Sequence, residues 1–259
     1  VKNIFKITYL VILLLATMQQ VKAEEKVELL KTDWSFKGLF GKFDRGSLQR
    51  GYQVYTEVCA SCHSMKYLNY RNLSEKGGPE FSIEQAKTIA ASFEVTDGPN
   101  DDGEMFQRPG KLSDKFVMPY RNVKEAQAAN GGAYPPDMSV LAKARSGGVD
   151  YIYSVLLGYE DPPSGATLDD GVYYNKYMYG NNIKMSQPLY EGSVEYSDGT
   201  EATEEQMAKD VATFLMWAAE PHLEARHKMG FKAILYLIIL TILVYFSMKK
   251  IWSRIESEV

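Results

Sequence analysis

SLQRGYQVYTEVCASCHSMKYLNY, residues 47–70, combines a helical pattern with both cysteines of the chain. Ser47 is a favourable N-cap residue, and the apolar side chains of Leu48, Tyr52 and Tyr55 recur at helical spacing behind it. The pattern predicts a helix that begins at Ser47 and carries two cysteines and a histidine near its far end. The whole chain has only two cysteines, which excludes a disulfide framework and a four-thiolate metal site built from this chain alone.

The two cysteines and the histidine form a C-x-x-C-H motif, CASCH, at residues 59–63. This is the pattern of c-type haem attachment, in which two thiols on one helical turn form thioether bonds to one haem and the adjacent histidine ligates the iron. Two alternatives are a thioredoxin-like dithiol and half a zinc site. The dithiol would lack its usual strand-to-helix context, and zinc would need the distant His222 or His227. The motif therefore predicts one covalently bound haem c, with His63 as an iron ligand.

A six-coordinate iron requires a second axial ligand, and methionine is the common choice. His222 and His227 are poor candidates because they immediately precede an apolar run near the C-terminus. Spacing alone does not choose among the methionines of the predicted loops, although Met185 lies in NNIKMSQPLY, a stretch with no evident structural purpose. The candidates are Met105, Met118, Met138, Met178 and Met185.

Charge is distributed unevenly along the chain. Residues 1–23 carry three lysines and no acid. Two of the lysines precede an apolar run, and small residues lie before a plausible cleavage site, so the segment is predicted to be a signal peptide. Residues 24–227 hold 21 basic and 31 acidic side chains, a net charge of −10. Such a segment repels nucleic acid and attracts a basic partner.

The C-terminal part has the length and composition of a membrane helix. Between Met229 and Met248 the only charge is Lys232, and twenty helical residues reach about 30 Å, the thickness of a bilayer's hydrocarbon core. A basic flank with Trp252 follows. We therefore expect a haem domain at 24–227 on the periplasmic side, a transmembrane anchor helix at 228–248 and a cytoplasmic tail at 249–259.

The remaining segments predict a mainly helical protein. A capping box at Ser82–Gln85 precedes a helix, and Thr203 caps the longest soluble helix, 203–219. Two short helices are expected at 138–145 and 150–157. The other segments are a turn-rich acidic loop at 97–112, a long Gly-, Tyr- and Pro-rich stretch at 158–202 that an apolar cofactor would help to order, and a possible hairpin at 193–201 that turns at Asp198-Gly199.

Several of these segments together resemble one family. From about residue 33 to the end, the chain is similar to the cytochrome c1 family, the haem subunit of the quinol:cytochrome c oxidoreductase (cytochrome bc1) complex, of the alphaproteobacterial type. The matching stretches are VCASCHSMKYL, AANGGAYPPDMS, ARSGGVDYIYSVLLGYEDPPSG, YNKYMYGNNIKMSQPLYEG and DVATFLMWAAEPHLEARHKMG.

The resemblance implies a class I cytochrome c fold with long loop insertions, plus one C-terminal transmembrane helix. By position it implies that Cys59 and Cys62 form the thioether bonds, that His63 and Met185 are the two iron ligands, and that Arg145 pairs with a haem propionate. The residues that match the wall of the haem pocket, although they are also ordinary turn and core positions, are Asn130, Pro135, Pro136 and Tyr151.

The resemblance also implies partners and a compartment. The haem would pass single electrons from the Rieske iron–sulfur protein to a soluble or membrane-tethered cytochrome c, beside cytochrome b in a dimeric complex of the bacterial inner membrane, with no substrate bond chemistry in this chain. The alternative is an anchored cytochrome that serves a terminal oxidase outside such a complex. Docking of a lysine-rich cytochrome c is one role for the acidic clusters, and solubility is another; the clusters are Glu94–Glu104, Glu160–Asp170 and Glu191–Glu205.

Overall fold

The computed structural model describes residues 27–256, so the predicted signal peptide lies outside the described residues. The helices are α1 Arg45–Val54, α2 Ile83–Ala91, α3 Val123–Ala129, α4 Leu141–Ala144, α5 Gly148–Leu157, α6 Glu204–Ala219 and α7 Leu223–Glu256. A π-helical turn at Tyr55–Cys59 continues α1, and short 3₁₀ turns lie at Tyr70–Ser74 and Tyr179–Asn181. The strands form two small antiparallel pairs, β1 Glu94–Asp97 with β2 Phe106–Pro109 and β3 Tyr173–Tyr174 with β4 Asn182–Ile183. The prediction of a mainly helical protein with one long apolar C-terminal helix is confirmed.

Helix α1 differs at both ends from its prediction. Asp44, not Ser47, is the N-cap: its carboxylate accepts a hydrogen bond from the Ser47 backbone N–H at 2.7 Å, so the helix starts before the serine. At the other end the chain leaves the helix within the motif, where the N–H groups of Cys62 and His63 both donate to the Cys59 carbonyl. The helix therefore presents the motif at its end instead of continuing through it.

The core is centred on the crossing of α1 and α6. Gly51 makes the close approach possible, because a Cβ atom at this position would lie 2.1 Å from the Asp210 carbonyl oxygen. Phe214 packs beside the crossing, with ring centroids 5.7 Å from Tyr52 and 5.4 Å from Trp217. The face of α1 that the sequence predicted to be apolar is the face that α6 covers.

The capped helices follow their local sequence signals. The Ser82–Gln85 capping box begins α2 with both reciprocal hydrogen bonds, and Thr203 caps α6 by accepting from the Gln206 N–H at 3.1 Å. The two short helices are also present, as α4 and α5, although α5 begins at Gly148, two residues before its predicted start.

The strand predictions were wrong. The segment 193–201 contains no strand: Asp198 accepts from the Thr200 N–H at 3.0 Å and pairs with Arg50, so its carboxylate fixes a turn. The acidic stretch 97–112 is not only a loop, since it contains β2, which pairs with β1.

Helix α7 extends beyond the predicted span in both directions. Its apolar section has a mean hydropathy of 2.2 and no part of it is buried against the rest of the protein, so its length and composition suit a membrane crossing. Its first turn is fixed to the domain through Glu224, whose carboxylate accepts two hydrogen bonds from Arg45 at 2.8 and 3.0 Å. Where a bilayer would begin and end along this helix stays a prediction.

Candidate functional site

The two cysteines lie on the turn that ends α1. Cys59 is buried, Cys62 is half-buried, and both are free thiols. The π-helical turn that leads to them has a hydrogen bond from the Ala60 N–H to the Tyr55 carbonyl at 2.8 Å, which adds one residue to the turn. Such insertions are frequent at functional sites. The sequence pattern predicted an ordinary helix here.

His63 is buried and its ring is held in one orientation. Nδ1 lies 2.8 Å from the Pro136 carbonyl oxygen, and because a carbonyl only accepts, Nδ1 carries the proton. Nε2 is left with its lone pair, and it has no hydrogen-bond partner within residues 27–256. Burial lowers the pKa of His63, although the bond to Pro136 opposes this, so the neutral form is favoured. A neutral imidazole with one anchored nitrogen suits a metal ligand.

A second set of hydrogen bonds, all to Asp137, joins the residues after the motif to the segment that follows Pro136. The Asp137 carboxylate accepts from the Ser64 hydroxyl at 2.8 Å and from the Lys66 N–H at 3.0 Å, and its other oxygen accepts from the Ser139 N–H at 3.0 Å. Burial raises the pKa of Asp137, but these hydrogen bonds outweigh it and leave the pKa below its usual value. Sequence reasoning missed Asp137, and the only available signal was an acid directly after two prolines.

The predicted pocket residues Asn130, Pro135 and Pro136 lie on one connection. Pro136 supplies the carbonyl that orients His63, and Pro135 beside it is half-buried. The Asn130 amide donates to the Ala126 carbonyl at 2.7 Å and to the Tyr120 hydroxyl at 3.0 Å, so its visible role is to end α3. The structure therefore connects Pro136 directly to the motif, and Asn130 only to its own turn.

The residue before Met185 contacts this same connection. The Lys184 ammonium donates to the Gly131 carbonyl at 3.0 Å, and the Tyr159 hydroxyl donates to the Met185 carbonyl at 3.1 Å. The Met185 side chain is half-buried. The backbone on which Met185 sits is thus tied to residues 131–136, which also hold the His63 ring.

The other candidate methionines have different environments. Met138 is buried in the core, whereas Met105 and Met118 are exposed. The Met178 sulfur accepts a hydrogen bond from the Tyr151 hydroxyl at 3.2 Å. The hydroxyl of Tyr151, a predicted wall residue, therefore points towards Met178. Of the five candidates, Met178 and Met185 are both half-buried, and the Met178 sulfur is engaged by Tyr151.

Arg145 lies at the end of α4 and is exposed. Its guanidinium makes one long hydrogen bond, 3.4 Å, to the carbonyl of the preceding Ala144, and in the part of the chain that the structure describes it has no carboxylate partner. It is therefore available to an external carboxylate, which a guanidinium binds with two parallel hydrogen bonds.

The described residues disfavour both alternatives for the motif. Among residues 27–256 no group of three or more His, Cys, Asp or Glu side chains could hold a metal ion, and His227 Nδ1 is occupied by the Gly41 carbonyl at 3.2 Å. A reactive dithiol needs a lowered thiol pKa, whereas burial raises the pKa of Cys59 to about 12. Two free thiols and a neutral histidine fit covalent haem better than either alternative.

The chain is mainly helical and combines two free thiols, an oriented neutral imidazole and a long apolar helix. This combination is typical of a membrane-anchored haem protein of electron transfer. The comparisons with known proteins specify the family. A model of the cytochrome C1 family matches residues 34–255, and the chain belongs to this family.

Relatives agree with this assignment. Cytochrome c1 1, a mitochondrial heme protein of Arabidopsis thaliana, is 48% identical over 92% of this chain and 76% of its own length. Cytochrome c1 of Rhodospirillum rubrum is 45% identical over 90% of each chain. Cytochrome b/c1 of Bradyrhizobium diazoefficiens is 48% identical over 93% of this chain, which spans 38% of that longer protein. The predicted resemblance is thereby confirmed, and with it a role in electron transfer as the haem subunit of a cytochrome bc1 complex.

Proposed function

We propose that Cys59 and Cys62 hold one haem c through two thioether bonds, with His63 Nε2 and Met185 as its iron ligands. The observation that carries the proposal is the His63 ring, whose proton is fixed on Nδ1 by the Pro136 carbonyl while Nε2 stays open. When bound, the haem supplies a centre that accepts and releases one electron.

The chain's own residues position that centre. The Tyr55 hydroxyl donates to the His63 carbonyl at 3.1 Å and so restrains the backbone of the motif. The Pro136 carbonyl restrains the imidazole ring of His63. The free guanidinium of Arg145 is suited to a propionate of the haem. Asn130, Pro135, Pro136 and Tyr151 are the proposed wall residues.

We propose that the domain is a class I cytochrome c fold, in which the motif helix α1 crosses α6. It would lie in the periplasm as residues 24–227, with residues 1–23 removed as a signal peptide, residues 228–248 spanning the bacterial inner membrane and residues 249–259 in the cytoplasm. The support is the exposed apolar section of α7 together with the bacterial relatives.

The proposed electron path runs from a Rieske iron–sulfur protein, through this haem, to a soluble or tethered cytochrome c, beside cytochrome b in a dimeric complex. Support comes from the names of relatives, one of which is a cytochrome b/c1 and another, from Candida albicans, a cytochrome b-c1 complex catalytic subunit. These names favour the path over a carrier that serves a terminal oxidase outside such a complex. Co-purification of the chain with cytochrome b is the expected result; isolation as a self-sufficient carrier would contradict it.

Among the acidic clusters, we propose Glu160–Asp170 as the docking face for a basic cytochrome c. Its four carboxylates are exposed and form no salt bridge within the described residues. In each of the other two clusters one carboxylate is paired with an arginine: Asp97 with Arg108, and Asp198 with Arg50. The cluster also follows directly on Tyr159, which holds Met185.

The covalent haem is tested by a pyridine haemochrome spectrum of the denatured full-length chain. A haem that stays with the chain through acidic solvent extraction is expected, because two thioether bonds survive denaturation. C59S/C62S should release all of the haem on extraction. C59S or C62S alone should leave one thioether bond and shift the haemochrome spectrum. Complete extraction of haem from the unaltered chain would overturn the proposal.

A further inference from the structure

A cavity of about 420 Å³ lies where the loop at 38–42 meets the first turns of α7. None of its lining residues belongs to the haem motif or to the proposed wall of the haem pocket. Apart from one carboxylate, Glu224, the side chains that line it are basic or aromatic: Phe40, Lys42, His227, Lys228, Phe231 and Lys232.

The cavity is positively charged. Its acidic lining residue, Glu224, accepts bidentate hydrogen bonds from Arg45, and three lysines line the same cavity, so the lining carries a net positive charge. The ammonium groups of Lys42, Lys228 and Lys232 form no salt bridge with any residue from 27 to 256. Lys228 and Lys232 are four residues apart and therefore project from one face of α7. An anion is the ligand that this charge arrangement favours.

The rim of the cavity is apolar and exposed. Phe40 is 70% exposed and Leu39 is 61% exposed, although both are large apolar side chains at the tip of a loop. The Phe40 ring contacts Phe231 of α7, with centroids 5.8 Å apart. The loop is held in this place by His227, whose Nδ1 donates to the Gly41 carbonyl at 3.2 Å. A basic cavity with an apolar rim matches an amphipathic ligand better than a soluble anion.

The position of the cavity along α7 specifies that ligand. Lys232 is the last charge before residues 233–248, an uncharged run that extends about 24 Å at 1.5 Å per residue. The lysines therefore lie at the edge of the hydrocarbon region, and exposed phenylalanines there are placed to enter it. We propose that this cavity binds the phosphate of an anionic phospholipid in the membrane leaflet that faces the haem domain. The proposal rests on the membrane anchor proposed above.

The test uses the haem-loaded full chain in nanodiscs with photoactivatable phosphatidylglycerol or, separately, phosphatidylcholine. Because a basic residue at a membrane surface contributes about a fivefold preference for anionic lipid, three lysines should raise labelling of peptides 38–42 and 228–232 by phosphatidylglycerol at least about tenfold. K42Q/K228Q/K232Q should remove this preference. The matched control, K249Q/K250Q at the opposite end of the same helix, should leave it unchanged.

Equal labelling of these peptides by the two lipids would overturn the proposal, and this comparison needs no variant. A preference that survives K42Q/K228Q/K232Q would also overturn it, as would loss of the preference on addition of inorganic phosphate, which would indicate a site for a soluble anion. Labelling along α7 without headgroup preference would leave the anchor in place and contradict only the headgroup site; no labelling of α7 at all would contradict the anchor itself.

Discussion

The crossing of α1 and α6 and the segment 158–188 differ in what holds them in place. At the crossing, Leu48, Phe214 and Trp217 are fully buried among protein atoms, and the helices are cross-linked by hydrogen bonds. The segment 158–188 has only two strands of two residues and one 3₁₀ turn, and Tyr179 in it is 81% exposed. The two regions belong to one domain but have very different local packing.

The difference indicates two sources of stability. The crossing is a close-packed core, since large side chains and the Arg50–Asp210 ion pair meet there. The segment with Met185 is hydrogen-bonded but buries few of its side chains, and long irregular segments need something to order them. A bound haem would supply that missing surface, so the core and the haem side should respond differently to substitution and to loss of haem.

The largest expected effect is on the buried ion pair of the core. Asp210 is fully buried and accepts from the Arg50 Nε–H at 2.8 Å and from Gln206 at 2.9 Å. Asp210→Ala leaves the guanidinium without its buried partner, so the free energy of unfolding should fall by about 3–5 kcal/mol in urea titrations. Asp198→Ala removes only the exposed partner of Arg50, so the free energy of unfolding should fall far less than in Asp210→Ala. Equal losses of unfolding free energy in the two variants would mean that the buried Asp210 stabilises the core no more than the exposed Asp198 does.

Close packing of the two helices predicts the next effect. Gly51→Ala places a methyl group 2.1 Å from the Asp210 carbonyl, so the helices must separate, and we expect a loss of about 3 kcal/mol. Gly46→Ala, in the same helix, meets only the movable side-chain tips of Arg50 and Asp44, and should change stability by less than about 1 kcal/mol. If thermal unfolding of the two variants coincides, the crossing is looser than described.

Loss of haem should separate the two regions most clearly. In C59S/C62S, amide hydrogens of residues 158–188 should exchange at least about tenfold faster than in the haem-loaded chain, because this segment has few buried contacts of its own. Amides of α1 and α6 should stay protected. Hydrogen exchange followed by mass spectrometry provides both measurements in one sample, and a uniform increase over the whole domain would mean that the core also depends on haem.

The smallest effect concerns the acidic surface next to the haem side. Neutralising Glu160, Asp161, Asp169 and Asp170 to their amides should slow reduction of a basic cytochrome c several-fold at low salt and hardly at all at high salt. Neutralising Glu191, Glu195, Glu201 and Glu205 removes the same number of charges from another cluster and should have the weaker effect. A rate that is insensitive to salt in the unaltered protein would exclude electrostatic steering.

Local signals predicted much of the fold. The Ser82–Gln85 box and the Thr203 cap each act within one turn, so the sequence shows both partners of every hydrogen bond. Strand β2 was missed because it is short and mostly exposed, so its side chains show no apolar alternation. The predicted hairpin at 193–201 failed because Asp198 serves a turn and Arg50 instead of a strand.

The sequence alone predicts candidate site residues but not the groups that hold them in place. The cysteines and His63 stand in one recognisable motif, whereas the groups that orient them come from elsewhere in the chain. The Pro136 carbonyl is 73 residues from His63, and Asp210 is 160 residues from Arg50. No local pattern predicts pairs at such separations, and the π-helical turn at Tyr55–Cys59 has no sequence signature that distinguishes it from an ordinary helix.

Ligation of the haem iron by His63 and Met185 can be measured in the optical spectrum of the oxidised protein. A methionine–iron bond gives a weak charge-transfer band near the red end of the spectrum. Met185→Leu should abolish this band while the haem stays covalently attached, and Met178→Leu should retain it, because the Met178 sulfur is engaged by Tyr151. Persistence of the band in Met185→Leu would contradict the assignment, and its loss in Met178→Leu would transfer the ligand to that residue.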